Sequence, residues 1–198
     1  MRTTKKQAYA LVKRLLDIVL ASVLLFLLAL PMATVGLLIR LTSAGGAIFR
    51  QKRIGRGGRT FVCYKFRTMY IDAPKNRPTS DFADAERYIT PIGKILRRTS
   101  LDELPQLFNV IIGDMSLVGP RPLIADECEM HDMRRRCGVY SVRPGITGLA
   151  QVRGRDMLAD TDKARYDARY VRRMGVIEDA RIIFATLTRA VSGNGILR

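Results

Sequence analysis

The chain has 198 residues, a formal net charge of +16, a sequence pI near 10.5 and 47% hydrophobic residues. That length accommodates one domain plus an anchor better than two domains, and the charge calls for a polyanionic partner: anionic lipid headgroups, phosphorylated small molecules or nucleic acid. One histidine, His131, and three cysteines without metal-type spacing leave too few parts for Ser-His-Asp or Cys-His catalysis, a zinc site or a disulfide framework, and point to a reducing compartment.

From the N-terminus, an apolar run spans Ile18 to Ile39, with Pro31 inside it. Arg2, Lys5, Lys6, Lys13 and Arg14 precede the run and Arg40, Arg50, Lys52, Arg53, Arg56 and Arg59 follow it, while Asp17 is the only acid up to residue 59. About 20 residues cross a bilayer core, so length permits a span. Lysine and arginine beside a membrane segment hold to the cytoplasmic side, so cations at both ends ask both ends to stay there. Pro31 removes one helical hydrogen bond and can break or kink the rod, and the stretch Ile18 to Leu30 rises only about 20 Å, short of a ~30 Å core. The expectation is a re-entrant helix over residues 1–41, broken at Pro31, with Ser22 and Thr34 as hydroxyls near the freed carbonyls; a simple crossing span and a signal peptide are the competing readings. Residues 42–198 then form a domain on the cytoplasmic face of the membrane.

Ala47 to Arg53 and Thr60 to Phe66 read as two strands joined by the glycine-rich turn Ile54–Gly58, which could alternatively cradle phosphate. Asp72 to Glu86 is polar and proline-containing, as in a surface loop or lid. Helices are expected over Pro91–Arg98, Asp102–Ile112, Leu123–Cys137, Asp160–Met174 and Ile177–Val191, with a short loose tail after Gly193. On the fourth, Tyr166, Tyr170 and Met174 share a face beside Arg165, Arg169, Arg172 and Arg173; that face either inserts among headgroups or packs on the core. The fold class is α+β: a helix-rich single domain with a small β-hairpin and a membrane-embedded start.

Chemistry must rest on carboxylates and cations. Asp102 and Glu103 follow Ser100, with Arg97 and Arg98 just upstream. A capping box, Ser100 with Glu103, explains the pattern structurally. Functionally, an aspartate held ionised by cations can attack phosphorus to form an acyl phosphate, and its neighbour can hold magnesium, which is bound through one or two carboxylates plus substrate phosphates. Arg121 stands between Pro120 and Pro122, presented stiffly for a phosphate clamp. Arg143-Pro144 lies in a second glycine-punctuated turn; either Arg-Pro pair is also compatible with a purely structural turn.

Tyr64–Met69 (YKFRTM), Ser100–Val110 (SLDELPQLFNV), Gly113–Pro122 (GDMSLVGPRP) and Arg143–Val152 (RPGITGLAQV) together resemble the bacterial monotopic phosphoglycosyl transferases, in order and spacing over nearly the whole chain. The resemblance is to that family's minimal catalytic core. Where members carry Ser-Pro at the helix break this chain has Leu30-Pro31. The resemblance implies a re-entrant membrane helix and transfer of a sugar-1-phosphate from a UDP-sugar to a polyprenol (undecaprenyl) phosphate, with release of UMP. It implies Asp102 as nucleophile of an aspartyl phosphosugar intermediate, Glu103 as the Mg2+ ligand, Arg121 as the phosphate-binding arginine, and Arg97 and Lys65 as basic positions near the site; Arg143, in its own Arg-Pro turn, is a further candidate phosphate or substrate contact. A membrane-anchored basic protein that binds anionic lipid or nucleic acid without catalysis is the alternative, although no nucleic-acid motif is present. Dimerisation through the anchor or the C-terminal helices is compatible with the sequence.

Overall fold

The computed structural model describes residues 2–74, 85–154 and 157–192. Most of the expected loop 72–86 and the expected tail after Gly193 lie outside the described residues. The architecture is helix-rich α+β. Helix α1 (Arg2–Thr42) is followed by a hairpin of β1 (Ile48–Ile54) and β2 (Thr60–Phe66), then α2 (Pro91–Thr99), α3 (Gln106–Ile112) and β3 (Ser116–Val118). Helix α4 (Cys128–Arg136), strand β4 (Gly145–Thr147) and helices α5 (Leu149–Arg153), α6 (Asp160–Arg173) and α7 (Val176–Ser192) complete it.

Helix α1 is long and apolar enough to cross a membrane. The expected interruption at Pro31 is absent: the helix continues through it. A proline forgoes one bond, and cooperative turns on either side carry the helix past it; Thr34 donates its hydroxyl to the Leu30 carbonyl at 3.0 Å. Both arms nevertheless rest on the same globular body. In the first arm, Lys13 pairs with Asp179 at 2.6 Å, Arg14 donates to the carbonyls of Val110 and Ile111, and Asp17 accepts from the Leu117 N–H. In the second, Ile39 is buried with Phe66 and Leu96, flanked by Met32 and Val35. Between the arms, Phe26 is 83% and Leu30 78% exposed.

The hairpin pairs antiparallel from Ile48 opposite Phe66 to Ile54 opposite Thr60, and Gly57 and Gly58 take the positive φ angles (69° and 74°) that its turn needs. A second sheet, β3 parallel to β4, is absent from the sequence reading. Its strands have three residues each, too short for an alternation pattern, and closeness is set by glycine: a Cβ on Gly145 would lie 2.0 Å from the Gly119 nitrogen.

Two helix assignments change. The stretch Asp102–Ile112 splits into a 3-10 turn, Leu101–Glu103, and α3, because Pro105 has no N–H with which to continue the earlier turn. Leu123–Cys137 shortens to α4, since Leu123 instead bridges Ile54 and a turn at 125–126 precedes the helix; residues 119–127 form a strap between β3 and α4. The Ser100–Glu103 capping box does not form: Ser100 makes no side-chain cap bond and instead ends α2 in the left-handed region, at φ 58°. On α6, Tyr170 is buried among Val118, Leu149 and Ile182, with Tyr166 and Met174 against the same cluster, so the aromatic face is core.

Candidate active site

Four segments converge on Asp102 and Glu103. Strand β2 brings Lys65, and it is held against α3 by Asn109, fully buried, whose Oδ1 accepts from the Tyr64 N–H at 3.0 Å while its Nδ2 donates to the Val62 carbonyl at 2.6 Å. Helix α2 brings Arg97, whose Nε donates to the Thr68 hydroxyl at 2.9 Å. The left-handed turn at Ser100 redirects the chain so that Asp102 and Glu103 follow α2 immediately. The strap between β3 and α4 brings Arg121.

Glu103 is buried and sits between two cations: its Oε1 accepts from Lys65 Nζ at 2.7 Å and from Arg121 Nη1 at 3.2 Å. Burial pushes the Asp102 carboxyl above its ordinary value, the neighbouring Glu103 charge adds to the rise, and Lys65, Arg121 and Arg97 oppose it. The sequence expectation that arginines hold Asp102 ionised therefore runs opposite to the net direction, because desolvation outweighs the cations. Arg98 is not among the charges acting on Asp102. Arg97 is itself lowered by burial, offset by Asp102.

A small cleft beside this cluster is lined by Arg53, Cys63, Lys65, Gln106, Arg121 and Ile146, among others. Arg53 contributes a third cation; burial and the facing Arg121 bring its pKa down to about 10. Three cations around one cleft, two of them paired with Glu103, suit a site that binds phosphates.

Among the described residues no three His, Cys, Asp or Glu side chains gather into a metal cluster. The adjacent carboxylates of Asp102 and Glu103 still fit magnesium, which takes one or two carboxylates and completes its shell with water and substrate phosphates. At Glu103 the metal would share the carboxylate with Lys65 and Arg121.

Lys65, Arg97, Asp102, Glu103 and Arg121 thus come together, and Arg143 does not join them. Its Nε donates to the Gly113 carbonyl at 2.8 Å, and the charges that act on it are Arg14, Arg56 and Asp17. Gly113 ends α3, where unsatisfied carbonyls attract cations, so Arg143 caps that helix alongside Arg14. Sequence reasoning missed Arg53, Asn109 and Thr68. Asn109 carried a signal: an asparagine inside a helix is a poor helix former and invites the question of what its amide binds. Arg53 and Thr68 carried none that separates them from surface residues.

An apolar helix long enough to cross a membrane rests on a basic domain, in which lysine and arginine side chains gather around the adjacent carboxylates of Asp102 and Glu103. A sequence model of the bacterial sugar transferases matches residues 8–193, and the chain belongs to that family. It is 40% identical to the galactosyl transferase CpsE of Streptococcus agalactiae serotype III, covering 96% of this chain and 44% of that protein. It is 35% identical to the exopolysaccharide production protein ExoY of Sinorhizobium fredii, covering 92% of this chain and 87% of ExoY. With the UDP-glucose:undecaprenyl-phosphate glucose-1-phosphate transferase of Caulobacter vibrioides the identity is 41%, over 88% of this chain and 68% of that one. The chain therefore spans less than half of the streptococcal relative and most of ExoY.

Proposed function

We propose that the protein transfers a sugar-1-phosphate from a UDP-sugar to a polyprenol phosphate in two steps, with Asp102 as the nucleophile. The observation that carries this reading is the convergence of Lys65, Arg97 and Arg121 on the Asp102–Glu103 pair. The relatives' names support the substrate classes, the Caulobacter protein being named for UDP-glucose and undecaprenyl phosphate. In the first step an Asp102 carboxylate oxygen attacks the phosphorus that bears the sugar; the bond from that phosphorus to the UMP oxygen breaks, and UMP leaves. In the second, a phosphate oxygen of the polyprenol phosphate attacks the same phosphorus, releasing the Asp102 carboxylate and forming a sugar-diphosphate lipid. Arg121, Lys65 and Arg97 bind and orient the phosphates, and Arg121 suits this because a guanidinium clamps two phosphate oxygens at once. Magnesium bound through Glu103 would neutralise phosphate charge.

The two-step order has a physical rationale, since donor and acceptor are both phosphate anions that repel each other. Storing the phosphosugar on Asp102 lets UMP depart before the lipid phosphate arrives. For the membrane, the reading is a re-entrant α1 on the cytoplasmic face. It is supported by cations on both flanks, by two arms that rest on one body, and by the exposed apolar stretch between them. Anionic lipid headgroups are the natural counterions of the surrounding basic surface.

The test uses the full chain in nanodiscs with magnesium and a panel of UDP-sugars, without polyprenol phosphate. A stoichiometric burst of UMP with a phosphosugar mass adduct, both lost in Asp102→Asn, is the expected result. UMP released only on adding the lipid phosphate would replace the covalent scheme with direct transfer, and no turnover with any donor would favour a binding-only role.

A further inference from the structure

Prolines 120 and 122 restrict the backbone on either side of Arg121, but two fixed φ angles do not by themselves aim a guanidinium. The structure supplies what they lack. Every carbonyl of the strap from Pro120 to Ile124 accepts a hydrogen bond. Pro120 receives the Gly145 N–H at 2.9 Å and Leu123 the Ile54 N–H at 2.9 Å. Arg121 receives Arg134 Nη1 at 2.7 Å, Pro122 receives Arg53 Nη1 at 3.1 Å, and Ile124 receives His131 Nε2 at 2.8 Å. The bond to the carbonyl of Arg121 itself comes from a buried side chain, Arg134, which is 3% exposed. Arg134 and Asp167 are joined at 2.5 Å, with side chains only 4% and 1% exposed.

A buried ion pair is weak evidence for stability, because desolving two charges offsets their attraction and apolar replacements are often as stable. Something other than stability should therefore be sought for Arg134. Its Nη2 is committed to Asp167 and its Nη1 to Arg121, so the carboxylate fixes the guanidinium plane and that plane fixes the Arg121 backbone. The far end of the chain of contacts is Arg121 Nη1 on Glu103.

We propose that Arg134, oriented by Asp167, is a positioning residue for Arg121: it sets where the Arg121 guanidinium meets the phosphates bound beside Asp102 and Glu103. The proposal rests on the phosphoglycosyl transfer reading for its main assay, and a binding measurement decides it independently.

Removing Arg134 alone strands a buried carboxylate and can unfold the protein, so the informative variant replaces the pair, Arg134→Met with Asp167→Leu. Full-length wild type, the pair variant, Arg121→Ala and the triple variant are compared in nanodiscs. The pair variant should melt no lower than wild type yet release UMP in the burst about 10- to 100-fold more slowly. In the Arg121→Ala background the same pair replacement should add less than about twofold, since residues acting through one another are not additive. Arg134→Lys, which keeps the charge but not the two-pronged reach, should recover folding without recovering rate. A pair variant within about twofold of wild type overturns the proposal, as does an equal loss in both backgrounds, which marks a general structural role. If wild type releases no UMP from any donor, the reaction assignment fails. The positioning is then decided by titrating the same four proteins with pyrophosphate: a loss of affinity in the pair variant that vanishes without Arg121 supports it. Unchanged affinity, or no binding by wild type, overturns it.

Discussion

Asn109→Ala probes the joint that holds Lys65 against the carboxylate pair. Asn109 is 0% exposed and satisfies two backbone groups on the outer edge of β2, the Tyr64 N–H and the Val62 carbonyl. Its truncation takes this partner from both part-buried groups, and a stranded group costs up to about 1–3 kcal/mol when fully buried. A loss of up to about 2–6 kcal/mol follows, a large part of the roughly 5–15 kcal/mol margin of a typical domain. Denaturant titration of the detergent-held protein measures it. Because Lys65 is the residue after Tyr64, the UMP burst should also slow beyond the fraction unfolded. Asn109→Asp keeps an acceptor for Tyr64 but turns a second oxygen on the Val62 carbonyl. A carboxyl buried there has its folded pKa raised, so its penalty grows as pH rises through the unfolded value and shrinks on acidification. A loss below about 1 kcal/mol for Asn109→Ala, or a pH-independent deficit for Asn109→Asp, would refute the joint.

In the proposed reaction Asp102 attacks only when ionised, and burial raises its pKa, so the burst rate should fall on acidification with a midpoint above the usual carboxylate value of about 3.9. Lys65 opposes that rise, so Lys65→Met should move the acid limb to higher pH; an unmoved limb refutes the assignment. A raised folded pKa also costs stability as pH climbs past the unfolded value, so Asp102→Asn should melt higher than wild type at neutral pH and lose that advantage in acid, as differential scanning fluorimetry would report. Gly145→Ala places a Cβ 2.0 Å from the Gly119 nitrogen and 2.4 Å from the Thr147 oxygen, both backbone, so it should abolish folded protein, whereas Gly46→Ala, with nothing within 4 Å, should stay within about 0.5 kcal/mol of wild type.

What could be read from the sequence followed from how local the cause was. The β-hairpin follows from two short strands around a glycine turn, and its second strand is legible in the sequence at 60–66 as the structure has it. Helices α2, α6 and α7 follow apolar periodicity and were found to within a residue or two. Asp102, Glu103 and Arg121 stood out because carboxylates in a basic chain and an arginine between prolines are locally unusual. The failures have non-local causes. Ser100 adopts φ 58° because α2 must end where the 3-10 turn begins, which a four-residue capping pattern cannot report. The run Arg134-Arg135-Arg136 has three equivalent letters, and only the position of Asp167, a helix away, selects Arg134 for burial. Arg143 looked like a phosphate ligand for the same reason: its carbonyl partner on Gly113 is invisible until α3 is folded.

The second arm of α1 does more than join the helix to the domain. Ile39, with Met32 and Val35, packs on Phe66 and Leu96 and beside Leu104. Phe66 follows Lys65, Leu96 precedes Arg97, and Leu104 follows Glu103, so the apolar face of one arm is the floor under three site residues. The arm's end is fastened as well, since Arg67 donates to the carbonyls of Ser43 and Gly45 where α1 gives way to the hairpin. Site geometry and the seat of the helix are therefore one mechanical unit: the arm cannot tilt without moving β2 or α2, and with them the cations that face Asp102. In the proposed reaction, whose acceptor carries its phosphate on a lipid, that coupling would fix the height of Asp102 relative to the apolar face of α1, which a flexible tether would leave to chance.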